Sequence, residues 1–129
     1  MGSNNAARNA RAVYSVGSED SAGNLVPVGG YTTPVALDSP PATLTAGANT
    51  LTFASAVKAI PIDATGASVD IGWRIDGGDA GPGSPRVRYG SAGTVYAPGG
   101  VTSISLYVAS DAPLNDETTE GNVNVGGLA

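Results

Sequence analysis

The sequence predicts an all-β fold, a single antiparallel β-sandwich or jelly-roll-like domain with extended N- and C-terminal arms. Three observations predict it. In Ala67–Asp76 (A-S-V-D-I-G-W-R-I-D), Val69, Ile71, Trp73 and Ile75 alternate with Ser68, Asp70, Gly72 and Arg74, the period of a strand with one buried and one wet face. Val101–Ser110 repeats the pattern, with Ile104, Leu106 and Val108 on one side and Ser103, Ser105 and Tyr107 on the other. Finally, 19 Gly and 9 Pro in 129 residues punctuate the chain too often for long helices and suit short strands joined by turns. A helix over Ala67–Asp76 would scatter its four apolar residues around the cylinder. That stretch holds the only tryptophan and is expected to be the central strand.

Residues 1–12 are polar and alanine-rich, with Arg8 and Arg11 the only charges; a helical turn or two there is too short to hold alone in water, so the segment reads as an arm. Ala12–Val16, with Tyr14, is a short strand candidate, and Gly17–Asn24 is a loop of turn formers. Pro27 in Leu25–Val28 and Pro34 in Tyr31–Leu37 confine those stretches to sheet edges or breaks. After the Ser39-Pro40-Pro41 corner, Ala42–Thr45 and Thr50–Ser55 flank Ala46-Gly47-Ala48-Asn49 and suggest a hairpin. Val57–Ile62 is a further strand in which Pro61 interrupts the hydrogen-bond ladder, and Asp63-Ala64-Thr65-Gly66 turns the chain.

Beyond the glycine-rich loop Gly77–Ser84, Pro85–Gly90 carries Val87 and Tyr89 on one face and Arg86 and Arg88 on the other. It should pair with the tryptophan strand, and charge complementarity favours a register that sets Asp76 or Asp70 opposite Arg88. Thr94–Ala97 is another short strand. The domain is thus expected over residues 13–110, and Asp111–Ala129 is a polar tail, either mobile or ordered only on a partner. Val123 and Val125 alternate with asparagines, so the end could add a strand to a neighbouring sheet edge.

Composition narrows the function. A chain of 129 residues suits one core. Alanine supplies much of the 41% hydrophobic content and aromatics only 5%, so that core should be thin and aliphatic. A net charge of −5 with six scattered basic residues offers no positive face for a nucleic-acid backbone. No apolar run approaches the roughly 20 residues that span a bilayer, and the start lacks the apolar segment of a secretory signal. Met1-Gly2-Ser3 departs from a myristoylation start because Ala6 stands where Ser or Thr is required. The expectation is a soluble chain with no nucleic-acid or membrane partner. Cysteine and histidine are both absent, which removes thiol chemistry, the commonest general base and the commonest transition-metal ligand.

The best candidates for chemistry are Asp63, Asp70, Asp76 and Asp79 around two glycine-rich turns. They could supply calcium ligands or a glycosidase acid and base, but the spacing is not that of an EF-hand, and aspartate in a turn ordinarily bonds its own backbone. Trp73 with Tyr89, Tyr96 and Tyr107 suggests a sugar-stacking platform, although by alternation Trp73 and Tyr89 belong to the core. No Walker loop, nucleophile elbow or dinucleotide fingerprint is present; Gly77-Gly78, Gly81 and Gly83 lead into a strand, whereas a phosphate loop must open a helix. No catalytic residue, metal or cofactor is therefore expected. The expected partner contacts are Arg8, Arg11, Tyr14, Tyr107, Val123 and Val125, with Tyr107 the first interface anchor because it shares its face with serines.

Taken together, an acidic, cysteine-free, Ala/Gly/Thr-rich β-domain with polar arms, carrying A-V-K-A-I-P-I-D-A-T-G-A-S-V-D-I-G-W-R-I-D and then V-T-S-I-S-L-Y-V, resembles the small β-sandwich virion proteins of tailed phages, with capsid decoration (cement) proteins nearest in style. The resemblance covers roughly Pro41–Ser110. It implies a non-enzymatic protein of the capsid surface, found in the host cytoplasm during assembly, that binds the major capsid protein or other virion proteins. It also implies a homo-oligomer, often a trimer. The alternative from a different class is a β-sandwich module that binds glycan or a host surface, as in a tail fibre or bacterial surface protein.

Overall fold

The computed structural model describes residues 17–19, 25–27, 31–114 and 122–129, and the chain divides into two compact units, Met1–Gly30 and Tyr31–Ala129. The fold is all-β, and among the described residues the paired strands are antiparallel, with one isolated parallel bridge between Leu114 and Val123. In the first unit, β1 (Gly17–Glu19) pairs with β2 (Leu25–Pro27). Gly17–Glu19, expected as the start of a polar loop, are strand instead, the rest of that expected loop lies outside the described residues, and Pro27 lies in a two-stranded ribbon, where each strand is an edge. The arm 1–12 and the strand expected over Ala12–Val16 lie outside the described residues.

The second unit holds β3 (Pro34–Val35), β4 (Thr43–Leu44), β5 (Gly47–Asp63), β6 (Ile71–Arg74), β7 (Arg86–Val87), β8 (Ala92–Val108), β9 (Ala112–Pro113), β10 (Asn124–Val125) and β11 (Gly127–Leu128). The main sheet runs β3-β11-β5-β8-β6-β7, with β10 also on β5, and β4-β9 forms a separate ribbon. The tryptophan strand is thus not central. It is a four-residue strand between β8 and β7, and the sheet is organised by the two 17-residue strands β5 and β8.

Each of these long strands was expected as two. The reason is a change of phase: Leu51 and Phe53 face the core below, Ile60 and Ile62 above, and on β8 Val95 and Ala97 give way to Ile104, Leu106 and Val108. Alternation alone cannot carry a strand across that odd spacing. The ladder pairs Gly47–Thr52 with Ser103–Val108 and Ala59–Asp63 with Ala92–Tyr96 in one register, with irregular pairing between. Both strands slip phase together, so the register survives. The irregular stretch holds two offset bulges, residues 53–56 of β5 opposite Thr102 and residues 97–100 of β8 opposite Lys58, the second including Gly100 at φ +80°, and bulges of this kind re-aim side chains. Both halves then feed one aliphatic core of Leu44, Leu51, Val57, Ile60, Ile62, Ile71, Ile104, Leu106, Val108 and Val123, each under 2% exposed. Burying one such side chain is worth about 1.5–3 kcal/mol.

Pro61 sits inside β5, opposite Thr94 on β8. Its carbonyl accepts from the Gly126 N–H at 3.0 Å, so its missing donor falls on the same side, where the neighbouring segment passes between β10 and β11. The ladder to β8 continues past it, contrary to the expected break. The hairpin expected about Ala46–Asn49 is also absent. β4 pairs with β9 instead, while the Asn49 side chain accepts from the Thr45 N–H at 2.9 Å and donates to the Thr45, Gly47 and Leu106 carbonyls at 2.8, 3.0 and 3.3 Å. The turn chemistry is present, but it redirects the chain from a ribbon into the main sheet.

The largest correction concerns the tail. Within Asp111–Ala129, Ala112–Pro113 pairs with β4, β10 and β11 pair with β5, and β11 also pairs with β3. Val123 is wholly buried and Ala112 is 5% exposed. The domain therefore runs from Tyr31 to Ala129. Short segments with few apolar residues read as solvated, yet Val123 and Gly127 close the core beside Phe53 and Val57.

Candidate functional site

The site is built on the back of β6 and β8. Ile71 is buried on the core face, and Trp73, Ile75 and Val69 pack against the same core part-buried. The opposite face carries Asp70, Gly72 and Arg74, with Gly72 across from Tyr107 and Arg74 across from Ser105. This face was expected to be wet. The glycine-rich loop instead lies over part of it: the Ala80 N–H donates to Ser105 Oγ at 2.9 Å, and Ser105 is 5% exposed. Gly72 permits the approach, since a Cβ there would stand 3.3 Å from Tyr107 Cβ and 3.4 Å from the Gly81 carbonyl oxygen.

Where this cover stops, a cleft of about 410 Å³ opens, lined among others by Ser68, Asp70, Gly72, Arg86, Tyr89 and Tyr107. β6 pairs with β7 through Ile71↔Val87 and Gly72↔Arg86, a register that extends to place Asp70 across from Arg88. The ion pair, however, runs diagonally, from Arg86 Nη1 to Asp70 Oδ2 at 3.4 Å. Arg86 Nη2 donates to the Pro82 carbonyl at 2.8 Å, and the Tyr89 N–H donates to Asp70 Oδ1 at 3.0 Å. That backbone bond, with Arg86 and Arg88 nearby, holds the Asp70 carboxyl below its usual pKa.

Tyr89 was expected in the core beside Val87 but is 55% exposed. The strand ends at Val87, the Ser91 N–H reaches back to the Arg88 carbonyl at 3.1 Å, and Gly90 adopts φ +80°; the turn breaks the alternation before it reaches Tyr89. The Tyr89-Gly90-Ser91 sequence was the available signal. Tyr107 is half-buried because the loop and Gly72 crowd its base, and it lines the cleft.

Of the other expected contacts, Val123 is enclosed in the core and cannot meet a partner, and Val125 is half-buried on β10 opposite Ile62. Arg8, Arg11 and Tyr14 lie outside the described residues. Tyr96 is 52% exposed and pairs on β8 with Ala59 of β5.

The four aspartates do not gather. Among the described residues no three His, Cys, Asp or Glu stand close enough to hold a cation. Asp63 Oδ1 accepts from the Thr65 hydroxyl at 2.6 Å and N–H at 2.9 Å, and these bonds lower its pKa. Asp76 Oδ1 accepts from Arg74 Nε at 2.6 Å and from the Gly78 N–H at 3.0 Å, which lower its pKa in that order. Asp63 and Asp76 thus do the turn chemistry expected of aspartate, whereas Asp70 ties β6 to the turn after β7. Compared with protein-family models, curated proteins and solved structures, the chain matches none.

Proposed function

We propose that this chain is a structural protein of a phage virion, a capsid decoration (cement) protein that binds the major capsid protein as a homo-oligomer and stabilises the lattice. The observation that carries the reading is the division into an antiparallel β-domain, Tyr31–Ala129, and a second compact unit, Met1–Gly30, whose described part is the two-stranded ribbon of β1 and β2. A two-stranded ribbon draws its stability from further surface packed against it, which a neighbouring subunit of a lattice would supply.

The electrostatics of three candidate aspartates do not suit a glycosidase acid. A glycosidase acid must hold its proton near neutrality, which requires a raised pKa. Asp63, Asp70 and Asp76 are all shifted the other way. The test is mass spectrometry across a density gradient of the native source. Co-migration with phage-sized particles in high copy is expected, together with loss of particle binding when residues 1–30 are deleted. Absence from particles overturns the reading.

A further inference from the structure

We propose that the cleft between Asp70 and Tyr107 is a binding site for a neutral glycan, an inference independent of the virion reading. The volume of about 410 Å³ lies within the range of small-molecule sites. Its lining combines two aromatic rings, Tyr89 and Tyr107, with apolar Val69, Pro82 and Ala109 and a few convergent polar groups. A sugar ring needs both surfaces, an apolar face to stack on and donors and acceptors for its hydroxyls.

The charges select the ligand. Asp70 and Arg86 stand side by side at 3.4 Å, so an anion placed against Arg86 meets the Asp70 carboxylate and a cation placed against Asp70 meets the guanidinium. A neutral ligand with adjacent hydroxyls suits both, donating to Asp70 Oδ2, whose contact to Arg86 is long, and accepting from Arg86. Asp70 is positioned for this by the Tyr89 N–H on its other oxygen.

The experiment is an amide ¹H–¹⁵N NMR titration of the full chain with maltotriose, cellotriose and triacetylchitotriose to about 10 mM, a range that captures millimolar Kd values. The expected result is saturable shifts at the Asp70, Gly72, Gly81 and Tyr89 amides with at least one trisaccharide. Tyr89→Ala should weaken that binding about tenfold, the loss of one stacked ring. This variant should fold, because the Tyr89 ring is largely exposed and Asp70 is held by the backbone N–H rather than the ring. Silence of the cleft amides toward all three probes overturns the proposal, as does binding that Tyr89→Ala leaves unchanged.

Discussion

Gly127→Ala should destabilise the domain, and the sign of the effect discriminates two pictures of the C-terminus. Gly127 is buried on β11, and an added Cβ would stand 2.7 Å from Val57 Cγ1 and 2.8 Å from both Phe53 Cδ1 and Cε1. Carbon atoms pack at about 3.5–4.0 Å, so core groups on β5 must move by nearly an ångström. Overpacking of this kind costs about 1–3 kcal/mol. Gly127 is not among the positive-φ glycines, so backbone strain adds nothing. If the segment were a tail, the same change would be neutral, because the chain there would be equally free before and after unfolding. Urea denaturation followed by Trp73, the only tryptophan, reads the difference as a fall of about 1 M in the midpoint at unchanged m. A thermal melt should drop by about 4–8 °C per kcal/mol. Gly83→Ala is the control, since nothing lies within 4 Å of its Cβ and its stability should hold or rise. An unchanged or raised midpoint for Gly127→Ala refutes the packing argument.

Asn49→Ala should cost about 1–3 kcal/mol, because it removes the side chain that serves the Thr45, Gly47 and Leu106 backbone; a midpoint equal to that of the parent in urea would show that the turn holds without it. Ser105→Ala leaves the buried Ala80 N–H without its acceptor and should speed hydrogen exchange at that amide about tenfold or more, with an unchanged rate counting against the loop cover. The pKa values of Asp63, Asp70 and Asp76 are lowered from 3.8 by folding. Their contribution is therefore fully present above about pH 5 and is lost as pH falls through the lowered native values. Thermal melts from pH 7 to 2 should show a plateau and then a decline below about pH 4. Asp76→Asn should make that decline shallower, and a decline of the same steepness would remove Asp76 from the account.

How far the molecule was legible can be judged from particular residues. Alternation in Ile71–Arg74 and Ile104–Val108 marked real strands and the correct core faces, because a two-residue period is set by the pleat and needs no knowledge of neighbours. Aspartate turn chemistry at Asp63 and Asp76 was equally local. The pairing of β6 with β7 was expected, and charge favoured the register that sets Asp70 across from Arg88, although the contact formed is the diagonal Asp70–Arg86 pair. Of the cleft, Tyr89 and Tyr107 were named in a sugar-stacking set that alternation then argued against by placing Tyr89 in the core, Tyr107 was expected as an interface anchor, and Asp70 was weighed for other chemistry.

The sequence by itself determined the all-β class, the turn sites, the aliphatic character of the core and the lack of thiol and imidazole chemistry, all properties of composition or of a few adjacent residues. Tertiary structure alone decided three things. It joined Thr50–Ser55 to Val57–Ile62 in one strand, because a paired slip of phase on β5 and β8 preserves the register while spoiling the alternation in each. It drew residues 122–129 into the sheet, since Val123 and Val125 acquire their worth only from the core they pack on and Gly127 from the close approach it allows to Phe53 and Val57. It also folded the loop after Gly77 onto the back of β6, where a missing Cβ at Gly72 and a single hydroxyl at Ser105 admit it. That placement leaves the cleft open beside it, an outcome of long-range closure that no local pattern encodes.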